Sequence, residues 1–451
     1  MVVGGDAAGM SAAAQARRRR GPDDLGIVCF ERGRATSYSA CGIPYWIGGV
    51  VGSEDDLVAR TPEQHRAGGL DVRTGTEVTA VDLDRRVVAW RSADGKGEEP
   101  FDSLVIATGS VPMRPPVPGI DAPGVHGVQT LDDGVALRAA LDGARRVVVV
   151  GGGYIGLEIA EACRTRGLAV TVVDRAATPV GTFDPDVGAF LADAVRGLDV
   201  ELVLSDGVAE VLTGPDGRAR GVVTASGREL PADVVVLGLG VRPNVALARA
   251  AGVPLGPSGG IAVDARMRTQ VPGVWAAGDC VESTHRLSGQ RVVVALGTHA
   301  NKQGRVAGIN LGGGYATFAG VIGTAATKVC DLEVARTGLS SAEAEAAGYA
   351  FVTAVVDSTT TAGYMPGAEP IRLKLLAERR SGRLLGAQIV GRHGSAKRID
   401  ALAIAVWNAM SVDEVLGLDL SYAPPFSPVW DPVLIAARKA QEAVEADLST
   451  C

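Results

Sequence analysis

The stretch RRVVVVGGGYIGLEIAEACRTRG, residues 145–167, decides the fold class of this 451-residue chain. Its run of valines predicts a buried parallel strand, and the residues after the glycines predict a helix. Between them lies a complete G-x-G-x-x-G. Gly151 allows the tight turn, Gly153 lets the backbone approach a pyrophosphate, and Gly156 lets the helix pack on the strand. The stretch therefore predicts a dinucleotide-binding βαβ unit.

An acidic residue supports this prediction. Asp174 ends the next predicted strand, 18 residues after Gly156. A carboxylate there can hydrogen-bond a ribose 2′-hydroxyl and repels a 2′-phosphate, which favours NADH over NADPH. The neighbouring Arg175 weakens that preference, so both nucleotides stay open.

A less regular glycine turn opens the chain. MVVGGDAAGMSAAAQARRRR, residues 1–20, predicts strand, turn and helix, with Gly4 and Gly9 at the first and third glycine positions. Asp6 stands where the second glycine is expected, so its side chain must point away from a pyrophosphate. Glu31 ends the following strand, where an acid can bind a ribose. Two such units in one chain suggest two nucleotides that exchange electrons.

Composition limits the partners of the chain. The net charge is −7 and 47% of the residues are hydrophobic, which is typical of a globular protein of several domains. This charge argues against nucleic acid or an anionic membrane as a partner. No apolar run of about 18 residues is long enough to span a bilayer. The chain also begins directly with a strand, so we expect no signal peptide.

The cysteines indicate a reducing, cytoplasmic environment. They show no C-x-x-C pair and no metal-ligand spacing, so we expect neither a disulfide framework nor a metal site. We expect Cys451 to lie in a frayed tail. The six cysteines are Cys29, Cys41, Cys163, Cys280, Cys330 and Cys451.

Two further motifs identify a family resemblance. Ala107-Thr108-Gly109 ends one predicted strand, and Asp279 follows another within AAGDC. With two glycine turns, the chain resembles the pyridine nucleotide–disulfide oxidoreductases over essentially its full length. The resemblance implies FAD at the first turn and NADH or NADPH at the second. For FAD it implies roles for Gly4, Gly9, Glu31, Thr108, Gly109, Asp279 and the flanking pair Gly304-Arg305.

The resemblance also implies the domain order. We expect an α/β fold with two Rossmann-like dinucleotide-binding domains and a C-terminal α+β dimerisation domain. The FAD-binding domain would comprise 1–115 and 245–322, the NAD(P)H-binding domain 116–244, and the dimerisation domain 323–451. In the last domain, alternating residues around Ser381-Gly382 predict a hairpin, and SAKRIDALAIAVWNAM predicts an amphipathic helix.

One cysteine lies in TSYSACGIPYWIGG, residues 36–49, close behind the first nucleotide unit. Most disulfide reductases of this superfamily carry C-x-x-x-x-C there, whereas Trp46 occupies the second position here. An internal disulfide is thus excluded at this site, and Cys41 is left to form a mixed disulfide, a persulfide or a sulfenic acid. Pro44 predicts that a helix begins just after Cys41, so we expect a lowered thiol pKa.

The stretch around Cys41 resembles the single-cysteine branch of the family. That branch contains coenzyme A–disulfide reductases, persulfide reductases and NADH oxidases. SYAPPFSPVWDPVL, residues 421–434, is similar to the C-terminal signature of the first group. The resemblance implies a homodimer in which Tyr364 and Tyr422 of one subunit reach the thiol of the other. A phenol there suits proton transfer to a leaving thiolate.

Substrate residues are suggested near the first helix. Gln15, Arg18 and Arg19 would hold the phosphates of coenzyme A, with Ser39 beside the thiol, although a basic run can simply complement a helix C-terminus. Two departures stand out. Ala40 replaces the asparagine of many relatives, and Met10 replaces a histidine of the oxidases and peroxidases, which counts against oxygen reduction.

The predicted enzyme passes electrons from NAD(P)H through FAD to Cys41 and on to a low-molecular-weight disulfide. CoA disulfide is the preferred substrate, with coenzyme A bound to Cys41 during the cycle. The alternatives are persulfide or polysulfide reduction, oxygen reduction, and a thiol-redox tailoring role on the same scaffold. All three keep the flavin and change the acceptor.

Overall fold

The computed structural model describes residues 1–449, so the predicted tail at Cys451 lies outside the described residues. In this range the α-helices are α1 Ala7–Arg17, α2 Ile43–Ile47, α3 Pro62–Ala67, α4 Leu131–Leu141, α5 Tyr154–Thr165, α6 Pro185–Arg196, α7 Ala246–Ala250, α8 Gly297–Leu311, α9 Ser341–Ala346, α10 Ile399–Trp407, α11 Val412–Leu416 and α12 Pro432–Ser449. Short 3₁₀ turns cover Ala40–Gly42, Glu54–Leu57 and Ala396–Arg398.

The strands are β1 Val2–Val3, β2 Val28–Phe30, β3 Asp71–Arg73, β4 Glu77–Asp82, β5 Val87–Ser92, β6 Gly95–Pro100, β7 Leu104–Ile106, β8 Ser110–Pro112, β9 Val125–His126, β10 Arg146–Val150, β11 Ala169–Val173, β12 Val200–Val203, β13 Val208–Thr213, β14 Ala219–Thr224, β15 Glu229–Pro231, β16 Val234–Leu237, β17 Val241–Pro243, β18 Val274–Ala276, β19 Ser283–Thr284, β20 Arg291–Val292, β21 Ala325–Val329, β22 Leu332–Gly338, β23 Phe351–Thr359, β24 Pro370–Glu378 and β25 Leu384–Gly391.

The first nucleotide unit is a parallel sheet of order β18-β7-β1-β2-β3. Because the strands are parallel, their carboxyl ends meet at one edge, where ligands of such sheets bind. Gly4, Glu31, Ala107 and Ala277 each follow one of these strands. The tertiary structure thus gathers four separate motifs at one edge.

The second unit repeats this arrangement with the parallel order β12-β11-β10-β16-β9. Gly151 follows β10, Asp174 follows β11, and α5 begins directly after the glycine turn. The βαβ unit predicted from residues 145–167 is confirmed.

The C-terminal part is an antiparallel sheet of order β21-β22-β25-β24-β23. The predicted hairpin is confirmed as β24 and β25. The predicted amphipathic helix is confirmed as α10, which follows a 3₁₀ turn over Ala396–Arg398. Two parallel sheets and one antiparallel sheet with helices confirm the predicted fold class, while the four domain ranges stay predictions.

The helix that follows Cys41 is anchored in the second unit. Ile43, Trp46 and Ile47 of α2 belong to the same buried cluster as Leu157 of α5. A Cβ at Gly134 of α4 would lie 2.8 Å from Ile43 and 2.9 Å from Trp46, so the helices approach closely. Trp46, in place of a second cysteine, fills core volume. This packing holds Cys41 between the two nucleotide units.

The described residues contain no helix long and apolar enough to cross a membrane and no cluster of potential metal ligands. Five cysteines are described, and all five are free: Cys29, Cys41, Cys163, Cys280 and Cys330.

Candidate functional site

A cleft of about 1370 Å³ runs along the carboxyl edge of the first sheet. Both glycine-turn units and the segment around Cys41 contribute to its walls. Of the residues predicted from sequence, it is lined by Gly4, Glu31, Thr108, Gly109, Asp279, Cys41, Ser39, Gln15 and Arg18. Residues distant in sequence are therefore brought to one site.

The first glycine turn is shaped for a group that approaches the backbone closely. Gly4 has φ +109°, and a Cβ there would lie 2.1 Å from Ala107 O. A Cβ at Gly9 would lie 1.9 Å from Gly4 O. No side chain caps the N-terminus of α1, so its free N–H groups can receive a pyrophosphate. These residues fit the adenosine diphosphate part of FAD.

Two acids of the cleft are held in fixed orientations. The Glu31 carboxylate accepts hydrogen bonds from Gly5 N at 2.7 Å and Gly33 N at 2.6 Å. Asp279 accepts one from Ser110 Oγ at 3.0 Å, and its burial raises its pKa. Their positions suit a ribose and a polyol chain, the two hydroxyl-rich parts of FAD.

Thr108 and Gly109 connect the first unit to the strand that returns from the second. Thr108 Oγ1 donates to Asn244 O at 2.6 Å, and Asn244 N donates to Gly109 O at 2.9 Å. Gly109 has φ +67°, a conformation that favours glycine. These two hydrogen bonds hold Thr108, Gly109 and Asn244 together in the wall of the cleft.

The second glycine turn has the same close approaches. Gly151 has φ +103°, and a Cβ at Gly156 would lie 1.9 Å from Gly151 O. Gly153 precedes α5 and leaves its N-terminus without a side-chain cap. Asp174 accepts hydrogen bonds from Gly152 N at 2.6 Å and Ala176 N at 2.8 Å. The turn thus fits a second nucleotide, as predicted.

Cys41 lies in the cleft, in the 3₁₀ turn directly before α2. Among the described cysteines it alone is exposed. The expected lowering of its pKa is wrong for the polypeptide: desolvation raises the thiol pKa, and the negative charges of Glu158 and Asp279 raise it further. The helix after it spans only five residues, and the hydrogen bond from the Cys41 backbone N–H lowers the pKa by less than desolvation and these two carboxylates raise it.

Glu158 is a site residue that the sequence analysis missed. It lies on α5, two residues after Gly156, and lines the same cleft as Cys41. Thr327 Oγ1 of β21 donates to Glu158 Oε1 at 2.8 Å, and burial raises the pKa of Glu158. Its place after the glycine turn was visible in the sequence. Its approach to the thiol was not, because that depends on how the two units pack.

The predicted substrate residues divide into two groups. Gln15, Arg18 and Ser39 line the cleft, and Lys302 and Arg305 of α8 add positive charge to it. Arg19 lies elsewhere.

The Arg19 side chain packs against the loop after α8, where a Cβ at Gly312 would meet it at 2.8 Å and one at Gly314 at 2.7 Å. Arg18 and Arg19 follow the last residue of α1, and of the two only Arg18 lines the cleft. The Arg19 side chain lies on this loop, and its phosphate role stays a prediction.

Tyr364 and Tyr422 lie outside the cleft of their own chain. Their exposed fractions are 75% and 49%, and desolvation together with the neighbouring Tyr364 raises the pKa of Tyr422. The structure thus brings the two tyrosines together but not to the Cys41 of the same subunit.

Comparison with known proteins identifies the family. Residues 1–304 match the family model described as "pyridine nucleotide-disulphide oxidoreductase". Residues 324–432 match the model of that family's dimerisation domain. The chain belongs to this family. It is an oxidoreductase that uses FAD and NAD(P)H, and it carries the family's dimerisation domain.

Similar proteins extend over nearly the whole chain. An NAD(P)H sulfur oxidoreductase (CoA-dependent) of Pyrococcus abyssi is 39% identical, with 97% of each chain covered. An NADH oxidase of Methanocaldococcus jannaschii is 35% identical, and the match covers 98% of each chain. A coenzyme A disulfide reductase of Staphylococcus haemolyticus is 30% identical, and the match covers 98% of this chain and 99% of the relative. The structure of an NAD-dependent persulfide reductase from A. fulgidus superposes with a TM-score of 0.95 at 38% identity, covering 99% of this chain and 83% of that one.

Proposed function

We propose that this enzyme reduces the sulfur–sulfur bond of a coenzyme A-bearing substrate, with CoA disulfide as the preferred substrate. The observation that carries the proposal is that Cys41, the one exposed cysteine among residues 1–449, lies in a cleft lined by both glycine-turn units. The basic side chains of Arg18, Lys302 and Arg305 line the same cleft and suit the phosphates of coenzyme A. Relatives named for coenzyme A chemistry support it.

The chemistry requires one sulfur to alternate between two bonding states. Bound FAD and NAD(P)H supply an electron pair. When a mixed disulfide of Cys41 accepts this pair, its S–S bond breaks, and the Cys41 thiolate and a coenzyme A thiolate result. The released thiolate takes a proton. The Cys41 thiolate then attacks CoA disulfide, which restores the mixed disulfide and releases a second coenzyme A thiolate.

We also propose that each active site is completed by the partner subunit of a homodimer. Tyr364 and Tyr422 are exposed on the C-terminal domain, beside the exposed apolar residues Phe426, Val429 and Trp430. Such a patch is typical of a surface that another protein covers. Across that interface the phenol groups would donate the proton that the released coenzyme A thiolate needs. A reducing compartment, the cytoplasm, suits the free cysteines.

CoA persulfide is the second candidate substrate. It contains the same kind of sulfur–sulfur bond, and the relatives named sulfur oxidoreductase and persulfide reductase favour it. Oxygen is disfavoured because Met10, which lines the cleft and is 2% exposed, cannot transfer a proton.

Steady-state NADH oxidation tests the proposal, with CoA disulfide, CoA persulfide or dissolved oxygen as the acceptor. We expect turnover with a coenzyme A acceptor, its loss in Cys41→Ser, and its retention in the control Cys330→Ser. Full turnover in Cys41→Ser, or equal rates with oxygen alone, would contradict the proposal. Mass spectrometry of the non-reduced protein should show a coenzyme A adduct on Cys41.

A further inference from the structure

Asp6 is the position at which the first glycine turn departs from G-x-G-x-x-G, and the structure shows where its side chain goes. Asp6 Oδ1 accepts a hydrogen bond from Tyr38 N at 3.1 Å. The carboxylate therefore does not cap α1, although Asp6 is the N-cap residue of that helix. It points instead to Thr36–Cys41, which we call the thiol segment.

Two successive amides tie the thiol segment to the glycine turn. Ser37 N donates to Gly5 O at 3.2 Å, and Tyr38 N donates to the Asp6 side chain. Ser37 has φ +49°, a left-handed conformation that is costly for a residue with a side chain. Such a conformation persists only when surrounding bonds enforce it. A glycine at position 6 would supply no acceptor for the second amide.

We propose that Asp6 is a positioning residue for the thiol: its carboxylate holds the Tyr38 amide, and with it the segment that ends at Cys41. The inference rests on the proposed role of Cys41 and applies to any acceptor that the thiol serves. It also explains the departure from the glycine pattern, because the side chain that occupies the place of the second glycine bonds to the thiol segment.

Asp6 and Cys41 line the same cleft, so the charge of Asp6 also reaches the thiol. Burial raises the pKa of Asp6 to about 6; Glu31 and Asp279 add to this rise, and the hydrogen bond from Tyr38 N opposes it. At pH 7 and above the carboxylate is ionised and, with Glu158 and Asp279, raises the pKa of Cys41. As the pH falls through about 6 the carboxyl group takes up a proton and becomes a weaker acceptor.

Hydrogen exchange of the FAD-loaded protein tests the positioning role. Asp6→Asn keeps an acceptor oxygen, whereas Asp6→Gly restores the glycine pattern and removes it. In Asp6→Gly we expect the Tyr38 amide to exchange about tenfold faster than in the wild type, and in Asp6→Asn within about twofold of it. Wild-type exchange at Tyr38 in Asp6→Gly would overturn the proposal.

The rate of Cys41 alkylation by iodoacetamide against pH tests the electrostatic role. Asp6→Asn removes the negative charge of the carboxylate, so the pKa of the Cys41 thiol should fall by about half a unit. Cys41 should then be alkylated about threefold faster at pH 7 than in the wild type. Glu63→Gln removes an exposed charge of α3 outside the cleft and is the matched control, with a wild-type profile expected. A wild-type profile in Asp6→Asn would overturn this part. Neither readout needs a disulfide substrate, so failure here is distinguishable from failure of the proposed function.

Discussion

The charges that act on the pKa of the Cys41 thiol within its own chain are negative. Desolvation, Glu158, Asp279 and Asp6 all raise the pKa of the thiol. The polypeptide therefore favours the protonated thiol over the thiolate. The disulfide attack that we propose for Cys41 therefore requires a bound cofactor, a substrate or the partner subunit to stabilise the thiolate, since only the thiolate attacks a disulfide.

The first prediction concerns Glu158, which is the charged group with the largest effect on the thiol pKa. Glu158→Gln removes that negative charge, so the pKa of Cys41 should fall by about one unit. Alkylation at pH 7 would then be about tenfold faster. Glu161→Gln is the matched control on the same helix, because Glu161 already pairs with Lys328. An unchanged profile in Glu158→Gln would show that its charge does not reach the sulfur.

At the scale of elements, helices and strands meet without intervening side chains around both nucleotide turns. A Cβ at Gly304 of α8 would lie 2.1 Å from Ala8 O, and one at Gly308 would lie 2.3 Å from Ala12 O. Helices α1 and α8 therefore pack backbone to backbone beside the first turn. In the second unit, Gly156 allows the same close contact between α5 and the turn before it.

The second prediction tests this contact. Gly156→Ala places a Cβ 1.9 Å from Gly151 O, so the turn must shift. We expect a loss of about 1–3 kcal/mol in the free energy of unfolding and a KM for NADH at least about tenfold higher. Gly26→Ala is the control, because nothing lies within 4 Å of its added Cβ. Denaturant titration measures the free energy of unfolding, and steady-state kinetics measure the KM for NADH. Equal values of both quantities in Gly156→Ala and Gly26→Ala would refute the steric argument.

At the scale of the whole molecule, buried ion pairs join the second nucleotide unit to the C-terminal sheet. Lys374 of β24, 6% exposed, lies 2.9 Å from Asp184 and 2.8 Å from Asp186 at the start of α6. Burial alone would raise the pKa of Asp184, but hydrogen bonds from Lys374 and Ser341 lower it overall.

The third prediction is that Lys374→Met destabilises the protein by about 3–5 kcal/mol, since it leaves a buried carboxylate without its partner. Because the wild-type pKa of Asp184 is lowered by folding, its contribution is present at neutral pH and is lost as the pH falls through the acid range. The decrease in stability on acidification should therefore be smaller in Lys374→Met than in the wild type. Thermal unfolding at several pH values measures it, with the exposed Lys439→Met as control.

The fourth prediction tests whether the active site is shared between subunits. A hybrid dimer combines one Cys41→Ser subunit with one Tyr364→Phe/Tyr422→Phe subunit. If the tyrosines act across the interface, one of its two sites contains an intact Cys41 and both tyrosines. We then expect the hybrid to regain about half of the wild-type turnover, although both parent dimers are impaired. No gain over the parents would place the tyrosines in the cis subunit or outside the reaction.

Much of the fold could be predicted because its signals are local. The glycine turns, the valine-rich strands and the Ser-Gly hairpin each follow from a few consecutive residues. The direction of the Cys41 pKa could not be predicted, because it depends on Glu158 and Asp279, which lie more than a hundred residues away in the chain. The placement of Arg19 against the loop after α8 could not be predicted for the same reason, because Gly312 and Gly314 lie far from it in the chain.

Glycine spacing and the absence of a second cysteine are properties of the chain as written, so the sequence was enough to predict two nucleotide turns, an unpaired cysteine behind the first of them and a distinct C-terminal domain. The surroundings of that cysteine, in contrast, follow from tertiary packing. It turned Asp6 towards Tyr38, placed Glu158 in the cleft and left Tyr364 and Tyr422 on the outer surface. The physical reason is that charge and desolvation act through space, so their effect depends on packing between units that are distant in sequence.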